Sequence, residues 1–261
     1  MEEDVLLQDV DARGVLTLTL NRPQRRNALS GALVEALLEV FLGLRERADV
    51  RVVVLTGAGD RAFCSGADLD PAAAAAGPYA MHRARERFAR LLLAMQRCGR
   101  PIIARLQGHA VAGGLGLVAA ADLAVAADDI ELGTPEIERG LFPMMILSVL
   151  ARTVPRKPLL HMLLTGDRIG AARAADLGLI NEAVPRAELD GRVDALAGRL
   201  AGMSQAVMML GRDAFYSAQD MPQDRALEFL CGQLTVNTLT EDAMEGMMAF
   251  MQKRPPAWND R

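Results

Sequence analysis

Ile102-Ile103-Ala104-Arg105-Leu106 runs without a break into Gln107-Gly108-His109-Ala110-Val111-Ala112-Gly113-Gly114-Leu115-Gly116. A short, nearly continuous apolar run that ends in glycines reads as a buried parallel strand feeding a tight turn. Glycine adopts positive φ without strain and lets backbone come close to a ligand or to another segment. The apolar residues Leu117 to Ala121 then read as a short helix. The first N–H groups of a helix have no partner inside it and favour negative charge. Strand, glycine turn and helix in this order belong to an α/β protein.

The same order appears upstream. Val52 to Leu55 is a short apolar run ended by Gly57-Ala58-Gly59-Asp60, and Phe63-Cys64-Ser65-Gly66-Ala67-Asp68-Leu69 follows as a second glycine-bearing turn. Two such turns, each after a buried strand, could aim amides at one oxygen and so form an oxyanion hole. Tight packing of strand against helix is the other explanation of such glycines. Further out, Leu16, Leu18 and Leu20 alternate with threonines, which predicts a half-buried strand. Ser30 is a candidate N-cap for a helix carrying Leu33, Leu37, Val40 and Leu44. Residues 71–78, Pro-Ala-Ala-Ala-Ala-Ala-Gly-Pro, read as a loop, and a surface helix is expected from about Tyr79 to Arg97. Leu123 to Ala126 reads as another strand.

After Pro135 the pattern turns helical and mostly stays so. Leu189, Val193, Leu196 and Leu200 form one stripe, Leu227, Leu230 and Leu234 a second, and Ala243, Met247 and Phe250 a third. Met244, Met247, Met248 and Met251 crowd the last helix. Methionines in such numbers either fill a core or line a subunit interface.

Composition removes several function classes. The chain has 261 residues, 51% of them hydrophobic, and a net charge of −4. That balance gives no drive toward nucleic acid or an anionic membrane. No apolar run reaches the ~18–20 residues that span a bilayer. Cys64, Cys98 and Cys231 lack metal-ligand spacing and are expected to be reduced thiols in a cytoplasmic protein. There is no G-x-S-x-G elbow, H-E-x-x-H pair or Walker loop, and none of the three histidines sits beside an obvious nucleophile. No metal site is expected.

Glu136 is the residue to which chemistry can be assigned. In Thr134-Pro135-Glu136-Ile137-Glu138-Arg139-Gly140 the proline suits a first helical position, which puts Glu136 in the first turn. There a carboxylate is either a dipole-stabilised cap or a general base kept ionised by that dipole.

The motifs together resemble the crotonase, or enoyl-CoA hydratase/isomerase, family. Leu20-Asn21-Arg22-Pro23 through Asn27-Ala28-Leu29 looks like its N-terminal signature. Val53 to Gly57 with Ala62 to Leu69, and Gly108 to Asp122, are similar to its two oxyanion segments. Leu163 to Ile169, Ala174 to Asn181 and the Glu245–Arg254 tail resemble its C-terminal half. The resemblance is collinear over about residues 10–255. It implies an α/β fold in two parts. Residues 1–195 would form a crotonase-like ββα spiral holding the CoA-thioester site. Residues 196–261 would form a C-terminal helical trimerisation region, in a homotrimer or dimer of trimers. It also implies that Ala67 and Gly113 donate the oxyanion-hole amides and that Gly114 supports the turn. Asp68 and Leu69 would line the CoA side, Arg25 and Arg26 would approach its phosphates, and Lys253 would reach a neighbouring subunit's CoA. CoA is then part of the substrate and no separate cofactor is implied.

One position departs from the family. Its hydratases use two glutamates to hold and deliver a water; the second corresponds to Glu136, the first to Gly116, which has no side chain. Double-bond isomerisation needs no water and only one base. Alanine at the first glycine of Ala110-Val111-Ala112-Gly113-Gly114 also resembles the monofunctional isomerases. The expectation is therefore isomerisation with Glu136 as single acid/base. Hydration with an atypical water site, or acyl-CoA binding without catalysis, stand as the alternatives.

Overall fold

The computed structural model describes residues 4–68 and 77–261. Its strands are β1 (Leu6–Val10), β2 (Val15–Leu20), β3 (Val52–Gly57), β4 (Ala62–Cys64), β5 (Ile102–Leu106), β6 (His109–Val111), β7 (Leu123–Ala127), β8 (Glu131–Gly133), β9 (Arg168–Gly170) and β10 (Glu182–Val184). Its helices are α1 (Gly31–Gly43), α2 (Gly77–Arg97), α3 (Gly113–Ala120), α4 (Met144–Leu150), α5 (Arg156–Thr165), α6 (Ala171–Asp176), α7 (Leu189–Ala201), α8 (Gln205–Ala218), α9 (Gln223–Thr238) and α10 (Glu241–Met251).

Two sheets share the strands. The larger runs β1-β2-β3-β5-β7-β10 and is parallel except for β1; the smaller runs β4-β6-β8-β9 and is parallel except for β9. Consecutive strands alternate between them: β3 then β4, β5 then β6, β7 then β8. That alternation is the expected ββα spiral. Gly108 makes the corner between β5 and β6 possible, since a methyl there would lie 2.5 Å from the Arg61 carbonyl carbon. Every residue of β3 is buried, as a central parallel strand requires. Ser30 caps α1 as expected, its Oγ accepting from the Leu33 amide at 3.2 Å.

Several expectations change. Gly77 and Pro78 open α2 instead of closing a loop; the rest of the alanine-rich segment, with Leu69, lies outside the described residues. Helix α3 starts at Gly113, four residues earlier than the apolar run implied. The stretch after Pro135 is not purely helical, because β9 and β10 add an edge to each sheet. A division at residue 195 falls inside α7, whose Leu189, Val193, Ala197 and Ala201 are buried.

The tail settles one alternative. Met244, Met247, Met248 and Met251 are all exposed, and α9 buries none of its residues. These apolar side chains are therefore not core of a single chain. A buried ion pair anchors α8: Arg212 Nε donates to Asp122 at 2.9 Å, and its other nitrogens donate to the Met95 and Gln96 carbonyls. Asp122 also accepts from Tyr216 Oη and from the Ile102 amide. It is a structural acceptor.

Candidate active site

Asn27 shapes the first turn. Its backbone has φ 54°, and its buried side chain accepts from the Arg22 amide and donates to the Ala58 and Ala62 carbonyls. Leu29 then bridges Ala67 in parallel: the Leu29 amide donates to the Gly66 carbonyl at 2.8 Å, and the Asp68 amide donates to the Leu29 carbonyl at 3.1 Å. In such a bridge the Ala67 amide points away from Leu29. It makes no backbone hydrogen bond among the described residues.

The second turn is held by the smaller sheet. The Ala112 amide donates to the Gly133 carbonyl at 3.0 Å, continuing the β6–β8 pairing. Ala112 itself has φ 53° and ψ −129°, a conformation that strains any residue with a Cβ. Gly113 is the first residue of α3, so its amide has no acceptor within the helix. None is found elsewhere in the described backbone.

The two turns touch. Gly66 has φ 87°, and a methyl there would lie 2.6 Å from Ala112 Cβ and 3.1 Å from the Gly113 nitrogen. A methyl on Gly114 would overlap the Cys64 carbonyl oxygen and lie 2.8 Å from Cys64 Cβ. The glycines thus allow contact between segments about 50 residues apart. The Cys64 thiol in this packing is pushed up to about 12 by burial, so it stays protonated.

Glu136 follows three residues after Gly133, whose carbonyl accepts from the Ala112 amide. It lies in the 3-10 turn Pro135–Arg139, with proline in the first turn as expected. Its electrostatics are opposite to expectation. Burial raises its pKa above the ordinary glutamate value, and its own amide and Arg139 offset this only in part. A five-residue turn has too little dipole to compensate for lost water. Oε2 is buried and makes no hydrogen bond among the described residues.

Gly116 lies beneath α4. A methyl on it would overlap Ile146 Cγ2, with Ile146 Cβ at 3.0 Å and Phe88 Cζ at 3.7 Å. The space beside it is filled by packing, so a side chain here has no room.

The basic residues divide. Asp68 is held by Arg22 at 2.7 Å and Arg25 at 2.9 Å. Burial alone would push its carboxyl up, but the two guanidinium groups outweigh it and hold the carboxyl below its usual range. Asp68 is therefore an internal counter-ion that pins the first turn, and Arg25, though 56% exposed, is committed to it. Arg26 and Lys253 are exposed. Among residues not assigned from sequence, Asn27 and Phe88 shape the site; Asn27 belongs to the Leu20–Leu29 motif, while Phe88 is one apolar position among several on α2. Ile146 is core against Gly116.

Comparisons agree with this architecture. Residues 11–261 match a family model described as enoyl-CoA hydratase/isomerase. The mitochondrial enoyl-CoA hydratase domain-containing protein 3 of Rattus norvegicus is 36% identical over 94% of this chain and 82% of its own length. A crystal structure of an enoyl-CoA hydratase from Mycobacterium smegmatis superposes with a TM-score of 0.93 at 39% identity, covering 98% of this chain and 99% of that one. The human enoyl-CoA hydratase domain-containing protein 3 gives 0.93 at 32% identity, covering 97% and 100%.

Proposed function

We propose a single-base isomerase, and its premise is plain: the chain belongs to the enoyl-CoA hydratase/isomerase family. A family member of this kind acts on acyl-CoA thioesters. In the proposed reaction the thioester oxygen of a 3-enoyl-CoA sits between the Ala67 and Gly113 amides. Glu136 takes a proton from C2, the charge moves onto the oxygen as a dienolate, and the same proton returns at C4. The double bond moves from position 3 to position 2.

Differential binding supplies the rate. The ground-state carbonyl is nearly neutral and the dienolate oxygen is anionic, so fixed N–H dipoles favour the latter. One such donor is typically worth 10²–10³ in rate, roughly 2.7–4 kcal/mol. Arg26 and Lys253 are the free cations we assign to the CoA phosphates. CoA arrives with the substrate, and no separate cofactor is needed. The exposed apolar side chains of α8 to α10 are assigned to a homotrimer or dimer of trimers.

The observation that carries the proposal is the Glu136 carboxyl: half-buried, with Oε2 making no hydrogen bond among the described residues, and three residues along the chain from the acceptor of the Ala112 amide. A desolvated carboxylate without a partner is a strong base toward a proton placed against it. The relatives named as hydratases favour the second possibility, water addition. That route needs a water held without a carboxylate at position 116. Glu136→Gln separates both from passive binding. Turnover should fall by about 10²–10⁴ while the dissociation constant for a non-reactive acyl-CoA stays within a few-fold. Full turnover in that variant would exclude Glu136 as the base.

A further inference from the structure

The space that a side chain at position 116 would take is already filled. Ile146, 3% exposed, puts its Cγ2 methyl where the first side-chain carbon would stand. Phe88 Cζ closes the same face of α3, lying 3.6 Å from a methyl built on Gly113 and 3.7 Å from one built on Gly116. Positions 113 and 116 are neighbours on one helical face. The wall therefore runs from the amide assigned to the thioester oxygen down to the place where a second carboxylate would be. The side chains named in it, Ile146 and Phe88, are hydrocarbon, so neither can hold a water.

We infer that Ile146 is a specificity-determining residue, a proposal that rests on the single-base reading above: its Cγ2 methyl excludes water from the reacting carbons. In isomerisation the C2–H bond breaks and its proton goes to a Glu136 oxygen. The freed pair forms the C1–C2 double bond of the dienolate, and the carbonyl pair moves onto oxygen. Collapse restores the carbonyl, forms C2=C3, and uses the former C3=C4 pair to bind the same proton at C4. Nothing is oxidised or reduced. Water at the site would open two leaks. The proton on Glu136 would exchange with solvent before its return, or water would add hydroxyl at C3 and hydrogen at C2. Excluding water suppresses both leaks.

The test is isomerisation of a 3-enoyl-CoA in deuterium oxide, with mass spectrometry of the early product. The unsubstituted chain should return mostly substrate-derived hydrogen to C4. Ile146→Ala, which removes Cγ2, should raise solvent deuterium in the product by about fivefold. Ile146→Leu keeps the side-chain volume should the alanine variant not fold, but carries no methyl on Cβ; it should raise deuterium likewise. Gly116→Ala combined with Ile146→Ala returns a methyl to the gap from the other side and should bring deuterium back toward the original level. A purely structural role for Ile146 would change stability and leave the isotope content alone. Wild-type isotope content in both single variants, or a double variant no drier than Ile146→Ala, would overturn the proposal. If the unsubstituted chain converts no 3-enoyl thioester at all, the single-base reading fails first and this proposal with it.

Discussion

Glu136 is placed where charge is penalised, and two consequences of opposite sign follow. A base must be ionised to act, so kcat/KM should be full at high pH and fall as pH drops through the raised Glu136 pKa. The acid limb of the pH–rate profile should lie above the ordinary glutamate value and vanish in Glu136→Gln; a limb at the unperturbed value would argue against a buried base. Stability runs the other way. A carboxyl raised by burial makes the fold less stable above its pKa than below it, so this group opposes folding at neutral pH and stops opposing it on acidification. Ala112 carries backbone strain, at φ 53° and ψ −129°. Relief of strain worth about 1–3 kcal/mol outweighs the ~0.5–1 kcal/mol entropic cost of glycine, so Ala112→Gly should stabilise by about 1 kcal/mol. The expected rise in Tm is about 2–4 °C by calorimetry; an unchanged or lower Tm would mean that the turn carries no such strain.

The elements that position these residues are joined by few, buried polar contacts. Arg212 ties α8 to the end of α2 and, through Asp122, to the start of β5. Burial would weaken its charge, but Asp122 outweighs that and raises its pKa further. Removing one partner of a buried pair leaves the other uncompensated, so Arg212→Met should cost roughly 3–5 kcal/mol in urea unfolding. A loss under about 1 kcal/mol would place the pair effectively in solvent. Legibility followed element length. The apolar runs of β3, β5 and β7, the capped α1 and the stripe of α7 were readable, because burial imposes periodicity over a turn or more. β4, β6, β8, β9 and β10 have three residues each, too few for any period, and none of them is read as a strand from the sequence; β1, an edge strand with only Leu6 buried, is missed as well. In the site, the glycine turns and Glu136 were legible because their residue types are unusual where they stand. The sign of the Glu136 shift and the closure of Gly116 by Ile146 were not, since both arise from packing between segments remote in sequence.

At the scale of the whole molecule, the helical tail presents an apolar surface that its own core does not explain. Leu227, Leu234, Leu239 and Phe250 are exposed by 62%, 65%, 76% and 85%. An open groove of about 610 Å³ between α8 and α9 is lined by further apolar residues, Phe215 and Leu230 among them. Surface of this kind marks association. Sedimentation should find the chain assembled at roughly micromolar concentration, and Leu227→Glu with Leu234→Glu should shift it toward the monomer. A chain that sediments at 28.1 kDa without substitution would remove that assignment. The chemistry at the centre, however, reduces to whether one carboxylate moves a proton where no second one can hold a water. The most direct measurement is to give the purified chain a 3-enoyl-CoA and, separately, its 2-enoyl isomer, and to weigh the products. The proposed mechanism requires conversion of the 3-enoyl ester at unchanged mass, with little gain of water by the 2-enoyl ester. Rapid formation of a product one water heavier from the 2-enoyl ester, with the 3-enoyl ester untouched, would contradict it.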